Sequence, residues 1–240
     1  LATAARILHQ LRRDHRTLAL RIVGPCVLLG LLAWIYADAP GDVFNRIGPA
    51  LLGVFPFVVM FIVTSIATLR ERTSGTLERL LTTPLAKGDL MLGYALAFGA
   101  VAVVQALVAT GFAVWVCGLD IAGPVWLLVV IALFDALLGT ALGLLASGFA
   151  RTEFQAVQFM PAFVLPQFLL CGLLVPRELL PPVLEAISNV LPLSYAVDAM
   201  KDVTVLAEPL AEVLPSLAVI LLWIVLSLAL GSLTLRRRTP

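Results

Sequence analysis

Charge is what this chain has least of. Only 13% of its 240 residues are Asp, Glu, Lys or Arg, about half the ~25% of a soluble domain. A mean hydropathy of +1.04 accompanies that scarcity. Together they exclude an ordinary soluble domain and indicate a polytopic membrane protein. Histidine occurs only at His9 and His15, both in a basic N-terminal stretch. No HExxH or GxSxG motif is present, so hydrolytic chemistry has no candidate nucleophile or metal site. The three cysteines, Cys26, Cys117 and Cys171, lie in apolar runs without metal-ligand spacing and read as small buried hydrophobes. No GxxxxGK[ST] phosphate loop occurs, so ATP binding of that kind is expected on another polypeptide. No internal repeat and no soluble domain are visible. Nothing suggests a nucleic-acid partner. The chain opens at Leu1, from which a few preceding residues are expected.

What is present is a series of long apolar runs. Residues 1–21 carry Arg6, Arg12, Arg13, Arg16 and Arg21, with Leu1, Ala4, Ala5, Leu8 and Leu11 at helical spacing. This predicts a basic amphipathic helix in the headgroup layer. Spans are predicted at 22–37, 47–69, 90–117, 124–150, 157–175 and 213–235. Ala37-Asp38-Ala39 imitates a signal-peptide cleavage site, but the basic region is long and amphipathic for that role. Pro49 lies near the start of the second span, and Pro56 inside it predicts a kink. Pro161 and Pro166 are expected to interrupt the fifth span, which also carries Gln158 and Gln167.

Residues 176–212 are too polar and proline-rich to span. A short helix from Pro182 would place Val183, Leu184, Ile187, Val190 and Leu191 on one face, and a second is expected over 194–203. This segment should lie on the membrane or dip into it. With the N-terminus in the cytoplasm, the cytoplasmic segments hold 13 of the 16 Lys and Arg residues, leaving Arg46, Arg177 and Lys201 outside. That bias predicts both termini inside and an even number of spans.

The densest charge lies in the loop 70–89, between the second and third spans. There Leu77, Leu80 and Leu81 share one helical face, Thr73 or Ser74 can cap the start, and Glu78 faces the positive dipole end. Pro84 ends the helix through its effect on Thr83. Such a helix suits either a lipid surface or a groove in a soluble partner. Inside the spans the one ionisable residue is Asp135. It can serve a substrate path, or pack as a protonated or hydrogen-bonded side chain between helices near Gln105. Gly139-x-x-x-Gly143, followed by Ser147, marks a close helix contact, expected within the subunit.

The run Glu71-Arg72-Thr73-Ser74-Gly75-Thr76-Leu77-Glu78-Arg79-Leu80-Leu81-Thr82-Thr83-Pro84 resembles the signature of type-2 ABC transporter permeases, the ABC-2 membrane family. Pro192-Leu193-Ser194-Tyr195, with Asp198 and Lys201 following, resembles that family's outer segment. Within the family the chain looks most like daunorubicin-type drug-exporter permeases. The resemblance implies an all-α polytopic protein. It would have six transmembrane helices, an interfacial N-terminal helix, a cytoplasmic coupling helix, and outer re-entrant helices between the fifth and sixth spans.

It further implies pairing of two permease subunits in the cell membrane, homodimeric or heterodimeric. A separate ATP-binding cassette subunit, carrying ATP and Mg, would dock on Glu71, Gly75, Thr76, Leu77, Glu78, Leu80, Leu81 and Pro84. Asp135, Pro161, Pro166 and Gln167 are then candidates for the substrate path or gate, and Pro192, Ser194, Tyr195 and Asp198 for the outer segment. Export of a hydrophobic or amphipathic compound is the expected function. Export of a polysaccharide or lipid-linked glycan is the alternative, although 8% aromatics offers little sugar-stacking surface. A proton-coupled secondary transporter using Asp135 and a non-transporting scaffold are the rivals from other classes. Inverted repeats would favour the former.

Overall fold

The computed structural model describes residues 15–40, 42–73, 87–150 and 152–234. They form eight α-helices, with no strand among the described residues. These are α1 (His15–Ile35), α2 (Val43–Thr73), α3 (Lys87–Trp115), α4 (Val125–Phe149), α5 (Glu153–Leu170), α6 (Pro182–Ser188), α7 (Pro192–Val205) and α8 (Leu210–Thr234). A 3₁₀ turn at Arg177–Leu179 precedes α6. Segments Val43–Glu71, Leu92–Trp115, Val125–Phe149 and Leu210–Leu233 are long and apolar enough to cross a membrane. A shorter apolar stretch, Ile22–Ile35, lies in α1.

The centre of the bundle is α4. It packs along α2 over the longest shared face, with α3 and α8 on its other sides. Gly139 and Gly143 explain the closeness of α2. A Cβ at Gly139 would lie 2.3 Å from the Phe57 carbonyl oxygen, and one at Gly143 2.6 Å from that of Phe61. Only glycine permits such backbone approach. The GxxxG pair is therefore an intrasubunit seam. Gly53 faces Asp135 one turn earlier on both helices, so α2 and α4 run parallel.

Outward faces are apolar. On α8, Leu214, Leu221, Leu222, Val225, Leu226 and Leu230 are exposed. In a bilayer such side chains meet acyl chains and need no protein partner.

At one end of the bundle the α1–α2 and α3–α4 connections meet. Asn45 Nδ2 donates to Asp42 at 2.9 Å and to Asp120 at 2.8 Å, and its Oδ1 accepts from the Asp120 amide at 3.0 Å. The same end is covered by α7, which packs on α2, α4 and α8. The Gly123 amide donates to the Val203 carbonyl at 2.9 Å. A Cβ at Gly123 would lie 2.9 Å from both the Val203 and Leu206 carbonyl oxygens, which explains the glycine. At the opposite end lies the connection 74–86, outside the described residues.

One expectation needs correction. Pro161 and Pro166 do not interrupt their helix, because α5 is continuous through both. In an apolar setting, unravelling would strand more backbone groups than two missing amides do. Its start is capped by Thr152, which accepts from the Gln155 amide at 3.1 Å. The break comes after Leu170, where later side chains take over the terminal carbonyls. Ser188 Oγ donates to Leu170 O at 2.8 Å, and Lys201 Nζ to Gly172 O at 2.5 Å. Gly172 has φ +84°, a left-handed conformation suited to ending a helix.

The α1 helix continues across residues 21 and 22. It runs from His15, and residues 1–14 lie outside the described residues. The apolar face of α6 points outward, as a segment lying on the membrane requires. Val183, Leu184, Ile187 and Val190 are exposed, whereas Ser188 is buried by its bonds to α5 and Ser194. Pro192 opens α7 at the first helical position, where its missing N–H costs nothing.

Candidate functional site

The last turn of α2 leads into the charged loop, and three consecutive residues there tie it to α5, the α4–α5 turn and α3. Leu69 is buried against Ala150, Ala156 and Phe159, in a small apolar cluster at the α4–α5 turn. Arg70 makes a two-pronged ion pair with Glu153 in the first turn of α5, Nε to Oε1 at 2.8 Å and Nη2 to Oε2 at 2.9 Å. The Tyr94 hydroxyl on α3 donates to the Glu71 carboxylate. Glu153 is held below the usual glutamate range, first by its hydrogen bonds to Arg70. Of the residues expected to dock a partner, only Glu71 falls among those described. Gly75, Thr76, Leu77, Glu78, Leu80, Leu81 and Pro84 lie outside them.

Asp135 is completely buried in the middle of α4. Neither carboxylate oxygen has a hydrogen-bond partner among the described residues. Gln105, expected near it, is itself fully buried on α3. Around Asp135 stand Gly53 of α2 and, from α7, Val197 and Met200. A Cβ at Gly53 would lie 3.8 Å from Asp135 Oδ2, 3.8 Å from Met200 Cγ and 4.0 Å from Val197 Cγ2. α7 is therefore the roof over this carboxylate. An unpaired buried polar group is uncommon in proteins and marks either strain or a working part.

Gln167 joins α5 to the same roof. Its Nε2 donates to Phe163 O at 3.0 Å, and its Oε1 accepts from the Leu193 amide at 3.3 Å. That amide opens α7 and has no helical acceptor of its own. Pro161 and Pro166 are both exposed on α5. Gln167, by contrast, is buried. The structure thus brings Asp135 and Gln167 beneath one helix and leaves the two prolines on the other side of α5.

The expected outer-segment residues form a second polar cluster, centred on Arg177. Its guanidinium donates to Asp198 and to the Asn189 side chain. It also lies 5.4 Å from the Tyr195 ring centroid, within cation–π reach. Tyr195 in turn donates to Asn189 O at 2.7 Å, and Ser194 meets Ser188 at 3.2 Å. Pro192 is the first residue of α7. Burial pushes the Asp198 carboxyl up, against the pull of Arg177. Asp202 is also pushed up, by burial and then by the charges of Asp198 and Glu212.

Sequence reasoning had not singled out Arg177, Asn189, Tyr94 or Glu153. Their partners lie 12 to 83 residues away in the chain, so no local pattern announces them. An apolar cleft of about 480 Å³ between α1 and α3 is lined by residues including Cys26, Trp34, Val108 and Phe112. It offers no catalytic group. Among the described residues no cluster of His, Cys, Asp and Glu could hold a metal ion.

Comparison with known proteins places this arrangement. Residues 1–205 match the ABC-2 type transporter family. Over 155 residues the chain is 30% identical to the probable multidrug ABC transporter permease YbhR of Escherichia coli (strain K12), covering 65% of this chain and 42% of YbhR. It is 24% identical over 181 residues to the linearmycin resistance permease protein LnrN of Bacillus subtilis (strain 168), covering 75% of this chain and 47% of LnrN. ABC transporter G family member 20 of Dictyostelium discoideum is 24% identical over 206 residues, covering 85% of this chain and 28% of that protein. The chain spans less than half the length of each of these relatives. With a match that takes in most of its length and includes the loop after α2, the chain belongs to the ABC-2 type transporter family.

Proposed function

We propose that this chain is the membrane permease of an ATP-driven exporter for hydrophobic or amphipathic compounds. The observation that carries the proposal is the family match across residues 1–205. Two relatives bear names that speak of multidrug transport and of linearmycin resistance. Those names support a drug-like cargo, in keeping with the resemblance to daunorubicin-type exporters. The permease crosses the membrane six times, using α1 and α5 as well as the four longer helices. Its termini and the loop 74–86 lie in the cytoplasm, in accord with the distribution of Lys and Arg. Two such subunits pair, and each docks a separate ATP-binding subunit through Leu77, Leu80 and Leu81.

Glu71, Gly75, Thr76, Glu78 and Pro84 shape that docking helix. Nucleotide-driven motion of the partners opens a path past Asp135 and α5, beneath the α6–α7 segment. A buried carboxylate in that path favours cationic amphiphiles.

The decisive experiment replaces Leu77 and Leu80 together with Asp. Membrane insertion should be unchanged, while copurification of the ATP-binding subunit falls at least about tenfold, as expected when anchor side chains leave a groove. Normal assembly and transport in that variant would refute the docking assignment. For the path, Asp135→Asn should reduce efflux of ethidium, a lipophilic cation, at normal expression. Unchanged efflux would remove Asp135 from the path.

A further inference from the structure

Leu69, Arg70 and Glu71 stand immediately before the loop; the first two reach the start of α5 and the third reaches α3. The Leu69 contact is apolar and buried, fixing α2 against the α4–α5 turn. The Glu71 contact reaches α3. The Arg70 contact is different in kind. It reaches the first turn of α5 through two parallel hydrogen bonds, with side chains 65% and 50% exposed. So exposed a pair adds little to stability. Its two-pronged geometry nonetheless fixes direction as well as distance. Carboxylate charge at a helix N-terminus also favours the pairing.

What lies beyond Glu153 gives the pair its significance. α5 is one continuous helix of 18 residues, about 27 Å long at ~1.5 Å per residue. Its far end is not free. Gln167 accepts from the Leu193 amide, and the Leu170 carbonyl accepts from Ser188. A shift of Glu153 is therefore felt at α6 and α7, the segment that roofs Asp135. α2, by contrast, is seamed to α4 by bare backbone and cannot slide on it.

We infer that Arg70 and Glu153 are positioning residues, forming the joint through which displacement of the loop after α2 is passed to α5. The inference rests on the proposed docking of an ATP-binding subunit on that loop. The joint acts between two helices of one subunit and touches neither nucleotide nor cargo.

The test is a charge exchange read by distance. In the assembled complex, spin labels are placed at Leu165→Cys on α5 and Trp126→Cys on α4, both exposed positions, with the native cysteines replaced. The probe is ATP with vanadate. In the otherwise unaltered protein the α4–α5 distance should change on trapping. Arg70→Glu and Glu153→Arg alone should each abolish most of that change while retaining the ATP-binding subunit. The double exchange should restore at least half of it. Retained assembly and an unchanged thermal midpoint in the single variants, with the distance change lost, separate this role from a merely structural one.

The joint is overturned if trapping leaves the distance unchanged in the unaltered complex, or if the single variants move normally. It is equally overturned if they shed the ATP-binding subunit, or if the double exchange fails to recover. Failure of docking itself would appear instead as normal assembly in the Leu77→Asp, Leu80→Asp variant, whatever the exchange shows.

Discussion

A methyl group at position 139 would sit 2.3 Å from the Phe57 carbonyl oxygen, and the obstacle is backbone, which cannot rotate away. Gly139→Leu should therefore force α2 from α4, at about 1–3 kcal/mol or more, as overpacked cores lose. Thermal unfolding in detergent should show a clear drop, whereas Gly24→Ala, with nothing within 4 Å, should leave the midpoint unchanged. The carboxyls of α7 give a second residue-scale test. Asp202 has its folded pKa raised, by burial first and by Asp198 and Glu212 next. A raised carboxyl contributes stability when protonated, and that contribution is lost as pH rises through the folded value. The α6–α7 segment should thus become harder to unfold as pH falls from neutrality toward the ordinary aspartate range. Asp202→Asn should flatten the dependence, which hydrogen exchange of α7 amides would measure.

Elements differ in how far the chain announced them. The ends of α3 and α4 fall within three residues of those expected from hydropathy. Long apolar runs leave the backbone no alternative in a membrane. The small-residue spacing at Gly139 and Gly143 likewise identified a contact, though not its partner. α5 was misread because proline carries a local rule, while continuity there depends on surroundings. Its true end is fixed by Ser188 and Lys201, donors 18 and 29 residues distant. The apolar face of α6 was legible from its spacing, and its exposure suits a segment lying on the membrane. In the candidate site, Asp135 stood out as an ionisable residue in an apolar run. Arg70–Glu153 did not, since a pair 83 residues apart becomes visible only once α2 and α5 are side by side. A prediction belongs to this scale. Gln167→Leu should free the Leu193 amide and loosen the start of α7, leaving α5 helical. Faster exchange at Leu193, without change in the α4 amides, is the expected result.

For the whole molecule, the exposed leucines of α8 and the sealed seam of α2 on α4 divide the bundle into a lipid-facing shell and a fixed centre. Topology can be tested at this scale. With native cysteines removed, Glu78→Cys and Glu178→Cys should react with a membrane-impermeant maleimide from opposite sides of sealed vesicles. Labelling of both from the same side would contradict the proposed six spans.

The glycine seam has a mechanical consequence. Two rods joined backbone to backbone behave as a single beam, stiff in length and unable to telescope. A push at one end is converted to rotation. With 31 residues in α2, about 46 Å at ~1.5 Å per residue, a tilt of roughly 5° about the loop end carries the far end about 4 Å. That end lies beneath α7. Under the proposed docking, the seam would make the permease a lever with the segment after α2 as its handle.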